Sequence, residues 1–301
     1  MDERTASGVG KKAGSQHLLI LGEDSRMSAP SATLSRALVR AGINVKFSNS
    51  TEQDGLRSWR RTLKDVRGII FVAYARIEGY LLGQLAYAVC AGIPLTRWWV
   101  GTDVMKVTTD RATADSTRRL DLIICANIAV APHLVSELAA AGIHARFIPS
   151  VIDSEVSLLE IGRPSSVLKP VLVYLPTSRQ QFYRREVIEA AIARNPALKF
   201  VVVADESHSL ARYANVESLG WVSEMAAIYD RCGCVLRLTE HDGMPRMLIE
   251  GLLRGMYAIY SWPLTGCWLA RNFEEVLHGL ARYANATEPN HEGRAAMLET
   301  V

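Results

Sequence analysis

Two carboxylates, Asp242 and Glu250, stand eight residues apart in the stretch "TEHDGMPRMLIEGLLRGMYAIYS" (239–261), on either side of a Gly-Met-Pro turn. Carboxylates accept hydrogen bonds, so one before the turn and one inside the segment after it can hold the hydroxyls of a ligand from two ends. Gly243 permits the tight turn, Met244 continues it, and Pro245 fits the first position of a helix, where its missing N–H removes no bond. A helix starting there presents free N–H groups and the positive end of its dipole, which suits an anion such as a diphosphate. His241 adds an imidazole next to Asp242 that can reach phosphate or sugar. The plainer alternative is that Asp242 shapes the turn and Glu250 is a solvated residue on an apolar helix.

These residues need a frame that aims them at one place. The acidic turn directly follows the apolar run "GCVLRL" (233–238), and the whole chain alternates such runs with longer amphipathic segments, the pattern of βαβ units. Strands are predicted at "HLLILG" (17–22), "NVKFS" (44–48), "GIIFVAY" (68–74), "PLTRWWV" (94–100), "LDLIICA" (120–126) and "ARFIP" (145–149). The second half repeats the alternation at "VLVYLP" (171–176), "LKFVVVAD" (198–205), "GCVLRL" and "YAIYS" (257–261). A helix is predicted at "SATLSRALVRAG", with Leu34, Leu38 and Ala41 on one face and Gly42 as its stop. Near-continuous apolar strands imply parallel sheets covered on both faces. The expected fold is α/β, two Rossmann-like doubly wound domains facing a central cleft, over 17–165 and 166–301, after a disordered tail at 1–16. The boundary falls in "SVIDSEVSLLEIGRPSSVLKP", where charged, Ser and Pro residues break the periodicity.

Composition narrows the class. The chain has 301 residues, 49% of them hydrophobic, and a net charge of only +3, far from a protein built to neutralise nucleic-acid phosphates. Five scattered cysteines in mostly apolar runs read as reduced thiols, hence cytoplasm, and "CGC" (232–234) has no second Cys/His pair at a spacing that would make a metal site. The first residues lack the apolar core of a signal peptide, and no stretch reaches the ~20 apolar residues of a membrane span. "GLRSWRRTLKDVRG" (55–68) sets Leu56, Trp59, Leu63 and Val66 on one face and five basic residues elsewhere. That pattern serves either a membrane-surface helix, giving peripheral contact at the inner membrane face, or a core-facing helix with a charged back.

The run "NVESLGWVSEMAAIYDRCGCVLRLTEHDGMPRMLIEGLLRGMYAIYS" resembles the carboxyl-terminal domain of retaining glycosyltransferases with the GT-B fold, of the glycosyltransferase family 4 type. The shared order is a short strand, a helix, an apolar strand, an acidic-Gly-x-Pro turn, a helix carrying Glu, then Gly and a strand. Upstream, "ICANIAVAPHLVSELAAAGIHARFIPSVID" is similar to the end of the family's amino-terminal domain, and "IPLTRWWVGTDVMKV" to its strand ending in a His-Gly-Ser/Thr-Asp loop. The likeness covers roughly 90–262. Two departures stand out: the first acidic position is Asp242 where relatives usually have Glu, and Val100 takes the place of the loop histidine.

The resemblance implies transfer of a sugar from a nucleotide-sugar, a UDP- or GDP-sugar, to a hydroxyl acceptor in carbohydrate biosynthesis, with retention and with neither metal nor cofactor. It implies that Glu250 holds the ribose hydroxyls and that Asp242 positions the donor sugar, with Glu240 as a substitute. Relatives supply an Arg and a Lys for the diphosphate from the loop after the second domain's first strand; here "YLPTSRQQFYRREVIEA" offers Arg179, Arg184 and Arg185, and a solvated helix start explains them equally. "LGWV" places the base near Trp221 and Val222, although Trp221 also suits a core. On the acceptor side the resemblance points to Gly22, Thr102 and Asp103, with Ser25, Ser28 and Ser31 as helix caps. The rival readings are a noncatalytic protein of this fold that binds a nucleotide-sugar or a partner, a nucleotide-sugar epimerase, and a dinucleotide dehydrogenase, which the absence of G-x-G-x-x-G after the first strand disfavours.

Overall fold

The computed structural model describes residues 16–22, 30–49, 56–72, 77–152, 161 and 168–301. They form two six-stranded sheets in which every pairing is parallel. The first sheet contains β1 (His17–Gly22), β2 (Val45–Asn49), β3 (Val66–Val72), β4 (Leu95–Trp99), β5 (Ala126–Ala129) and β6 (Arg146–Phe147), in the order β2-β1-β3-β4-β5-β6. The second contains β7 (Val171–Tyr174), β8 (Phe200–Val203), β9 (Val216–Gly220), β10 (Cys234–Arg237), β11 (Tyr257–Tyr260) and β12 (Trp268–Leu269), in the order β12-β11-β10-β7-β8-β9. Helices α1 (Pro30–Arg40), α2 (Leu56–Thr62), α3 (Gly79–Cys90), α4 (Thr102–Thr109), α5 (Arg111–Asp121) and α6 (Pro132–Ala140) accompany the first sheet. Helices α7 (Arg185–Arg194), α8 (Ala226–Arg231), α9 (Arg246–Leu253), α10 (Phe273–Ala284) and α11 (His291–Thr300) accompany the second. The two doubly wound halves are the architecture expected from the sequence.

The strands are apolar because they are covered twice. All four residues of β8 and Leu19, Ile20 and Leu21 of β1 are buried, as parallel strands between helical layers must be. Each sheet reverses its winding once, between β1 and β3 and between β7 and β10. Doubly wound sheets bind ligands beyond the carboxyl ends of the strands at such reversals. At the first reversal, Gly22 ends β1 so close to α1 that a Cβ there would overlap the Ser31 hydroxyl. Gly42, at φ 77°, ends the turn after α1 as its sequence position implied.

Several local expectations are corrected. "LDLIICA" is not a strand: Leu120 and Asp121 finish α5, the chain turns, and β5 starts only at Ala126. Leu120, Ile123 and Ile124 still pack with Leu85, Ala88 and Leu95, but Leu122, 87% exposed, and Cys125 face outward, so the helix end and its turn bury only part of the run. Ala41 lies past the end of α1 and is exposed, while Leu34 is buried. Pro245 is the N-cap of α9, extended at φ −67° and ψ 129°, and Arg246 takes the first helical position. Trp59, Leu63 and Val66 are buried in the core, and the Trp59 Nε1–H donates to the Gln84 carbonyl of α3 at 2.9 Å. These three residues of the apolar face of "GLRSWRRTLKDVRG" are therefore spent on the core. The tail at 1–15, Ser25, Ser28 and the inter-half boundary near 165 lie outside the described residues.

Candidate functional site

Parallel register sets Arg237 of β10 beside Tyr260 of β11, and the β10–β7 pairing carried one step further sets it beside Tyr174 of β7. Arg237 thus stands at the second sheet's reversal, on the carboxyl edge of its strands. Its guanidinium lies 4.8 Å from the Tyr174 ring centroid and 5.6 Å from that of Tyr183. Nε and Nη2 both donate to Asp242 Oδ2, at 3.0 and 2.6 Å, while Asp242 Oδ1 accepts the Gly243 N–H at 2.9 Å. Burial alone would lower the Arg237 pKa, but the charges of Asp242, Tyr183 and Tyr260 outweigh it and hold it above its usual value. Burial pushes the Tyr183 hydroxyl up, with Arg237 pulling the other way. Asp242, the first acid of the pair, is half-buried and engaged with Arg237.

Glu250, the second, is only 6% exposed on α9. Arg246, one turn earlier, forms an ion pair with its carboxylate, and the Tyr229 hydroxyl of α8 hydrogen-bonds to it. Burial, then the Glu250 charge and that bond, push the Tyr229 pKa well up. Glu250 is therefore a buried, oriented carboxylate and not a solvated helix residue, because the α9 stripe on which it sits faces α8 and the sheet.

The acidic turn is plugged into the other half of the molecule. His133 of α6 donates from Nε2 to the Asp242 carbonyl at 2.8 Å, since a carbonyl can only accept. His241 Nε2 donates to Glu137 Oε2 of α6 at 2.7 Å, and Ser150 Oγ–H donates to the Met244 carbonyl at 3.2 Å. Trp262 stacks on His133 at 5.0 Å and meets His241 edge-on at 5.1 Å. Gly243 and Gly101 touch backbone to backbone: a Cβ on Gly101, whose φ is 147°, would lie 2.8 Å from the Gly243 nitrogen. Gly243, Met244 and Pro245 are consequently buried at a seam between the sheets, packed on Val130 and Leu134 among others.

The remaining nominated residues are spread around this centre. Asp103 is buried and turned to its own loop, accepting from Val100 N at 3.1 Å, Gly101 N at 2.8 Å and Val104 N at 3.0 Å. Burial raises its pKa, against those bonds and the field of Arg97. Thr102 is half-buried at the start of α4. Arg179, at φ 62°, lies over the Phe182 ring at 4.0 Å, and its field reaches Tyr183. Arg184 donates to the Arg271 carbonyl at 2.6 Å, and Arg185 to Gln180 and Glu189. Trp221 is 54% exposed just after β9 and Val222 half-buried, so Trp221 is no core residue. Gly22 lies at the other sheet's reversal.

Sequence reasoning missed Arg237, Arg246, Tyr229, His133, Glu137 and Trp262. Arg237 left a signal, a charged residue inside the apolar run "GCVLRL". His133 and Glu137 meet the turn across more than a hundred residues, and no spacing rule reaches that far. Among the described residues no group of three or more His, Cys, Asp or Glu is placed to hold a metal ion.

A scan against models of protein families gives no match, nor does a search of curated proteins. Solved structures do match over nearly the full length. The Anabaena HepE structure with UDP-glucose is similar with a TM-score of 0.69 at 12% identity, over 94% of this chain and 95% of that one. Sucrose-phosphate synthase of Thermosynechococcus elongatus gives 0.68 at 13% identity over 95% of each chain. A glycosyltransferase of Rickettsia africae gives 0.62 at 10%, over 95% and 94%. Together with the two parallel sheets and the facing carboxyl edges, this likeness shows that the chain has a GT-B-type fold, two Rossmann-like domains around a cleft.

Proposed function

We propose that the protein is a glycosyltransferase of the family 4 type, transferring a sugar from a UDP- or GDP-sugar to a hydroxyl acceptor with retention and without a metal. The observation that supports this reading is Asp242, held by Arg237 at the carboxyl edge of the second sheet at its winding reversal, with Gly243 beside it against Gly101 of the first half and Glu250 buried in the helix that follows. The fold shared with a protein solved with UDP-glucose supports it. The domain over 166–301 takes the donor, with Glu250 on the ribose, Asp242 on the sugar, and Trp221 and Val222 near the base. His241, Gly243, Met244 and Pro245 form the turn that seats the donor against the domain over 17–165, where Gly22, Thr102 and Asp103 lie toward the acceptor.

In the reaction the acceptor oxygen bonds to the anomeric carbon as the bond from that carbon to the β-phosphate oxygen breaks. The released phosphate oxygen takes the acceptor's proton, so no protein base is consumed and Val100 at the histidine position is compatible with turnover. The protein's part is electrostatic, cations and amide donors fixed where charge grows on the diphosphate. A contact with anionic lipid, if the acceptor is lipid-linked, falls to the exposed back of α2, where Arg60, Arg61 and Lys64 point away from the core.

The test is a titration of UDP, GDP and their 2′-deoxy forms into wild type and Glu250→Gln, which keeps the buried side chain's shape. Ligand at a hundred times its Kd adds about 2.7 kcal/mol of stability, visible as a thermal shift. Wild type is expected to prefer the ribonucleotide by roughly tenfold and Glu250→Gln to lose that preference. A wild type that binds no nucleoside diphosphate refutes the donor-binding reading and the transferase with it; binding without sugar transfer to any acceptor favours the noncatalytic rival.

A further inference from the structure

The cations that sequence reasoning assigned to the diphosphate do not gather at the reversal of the second sheet. Arg184 is spent on the Arg271 carbonyl, Arg185 on Gln180 and Glu189, and Arg179 lies out over Phe182. Arg237 alone stands on the strand edge between β7 and β11, and its anion is Asp242. That pairing uses Nε and Nη2 and a single carboxylate oxygen, and Nη1 makes no hydrogen bond among the described residues. Tyr174 and Tyr183 wall the guanidinium, so it keeps its place when its partner changes. The carboxylate is differently held: among the described residues, Oδ1 accepts one backbone N–H of its own turn and Oδ2 accepts from Arg237.

We propose that Arg237 is the diphosphate-binding cation of the cleft and that Asp242 is its internal competitor, so that donor binding exchanges one anion for another and turns the Asp242 carboxylate to the hydroxyls of the donor sugar. This rests on the functional reading above and explains how an aspartate already paired inside the protein can serve a ligand. A guanidinium offers five donors in a planar fork, and a diphosphate presents more oxygens in matching geometry than the one carboxylate oxygen it displaces. Specificity follows, because a ligand with hydroxyls but no diphosphate leaves Asp242 locked on Arg237, and its sugar finds no acceptor of hydrogen bonds there.

The experiment is calorimetric titration of UDP and GDP, with uridine, guanosine and inorganic pyrophosphate as partial ligands, into wild type, Arg237→Met, Asp242→Asn and the double variant. Asp242→Asn removes the competing charge and is expected to bind the nucleoside diphosphate and pyrophosphate about tenfold more tightly. Arg237→Met is expected to lose about a hundredfold for both while binding the bare nucleoside as wild type does. The double variant removes both charges together, which keeps the site neutral; circular dichroism checks its fold, and it is expected to bind like Arg237→Met. Diphosphate binding by wild type that is unchanged in the folded double variant, or no tighter in Asp242→Asn, overturns the exchange and leaves the functional reading standing. No nucleoside diphosphate binding by wild type overturns both, and the uridine and guanosine arms show whether a base site exists at all.

Discussion

Gly243→Ala separates a turn that lines an open ligand site from one that is part of the seam. A methyl group at residue 243 would overlap the Val100 carbonyl oxygen and lie 2.8 Å from Val130 Cγ2 and 3.1 Å from Leu134 Cδ1. The side chains can yield a little; the carbonyl belongs to the loop that Asp103 ties down with three kinds of backbone donor. The turn must then retreat, and overpacking of this kind costs about 1–3 kcal/mol. Retreat also stretches the hydrogen bonds from His133 to Asp242 and from Ser150 to Met244, each worth roughly 1 kcal/mol. A loss of about 3–5 kcal/mol is expected, a fall in Tm of roughly 5–8 °C if the two halves melt together. Differential scanning calorimetry reads it, and small-angle scattering reads the opening of the two halves. A Gly243→Ala protein melting within about 2 °C of wild type, with an unchanged radius of gyration, would refute the claim that this turn is a packed seam.

Two further outcomes are expected. Gly83 lies inside α3 on its exposed side, where an added methyl group would have no neighbour within 4 Å, so Gly83→Ala should stabilise by about 0.5–1 kcal/mol in urea unfolding, the opposite sign to Gly243→Ala. Asp205, buried after β8, accepts from the amides and hydroxyls of Ser207 and Ser209; burial works to raise its pKa, but those bonds prevail and hold it below the usual carboxylate range. A depressed folded pKa means that the stabilisation is complete above the unfolded value of about 4 and fades as pH falls through the folded one. Urea midpoints at pH 6 and pH 3 should therefore converge between wild type and Asp205→Asn as the solution is acidified, and a gap that widens toward low pH would reverse that sign.

The fold was legible because its signals are local. Each run of β1, β7, β10 and β11 is short, apolar and bounded by turn residues, and two such series separated by a polar stretch imply two wound sheets. Where the reading went wrong, burial was right only in part and the element was not: Leu120, Ile123 and Ile124 pack on the core as the end of α5 and its turn, while Leu122 and Cys125 are exposed. Periodicity cannot tell these apart over six residues. The basic helix shows the same limit from the other side, since an apolar face with Trp59 and Leu63 serves a core or a membrane equally until its neighbour, α3, is known.

The site was legible in its acids and illegible in their partners. A separation of eight positions from Asp242 to Glu250 is a distance along the chain, and the turn and helix convert it into two settings, one beside Arg237 and one beside Arg246 and Tyr229. What each carboxylate does depends on who faces it, and those residues come from other elements: Arg237 from the strand before, Tyr229 from α8, His133 and Glu137 from the other half. Arg237 was visible as an oddity, because a buried guanidinium costs far more than the leucine or valine that the run otherwise prefers and must be repaid by an anion. Five residues on, Asp242 is that anion, so the acid that spacing marked as ligand-facing and the base that composition marked as out of place are two halves of one pair. A pair that is fully satisfied inside the protein would stabilise without acting. This one leaves Nη1, among the described residues, without a hydrogen bond at a winding reversal, where such folds receive ligands, and that is the physical reason for proposing it for the donor and not for the core.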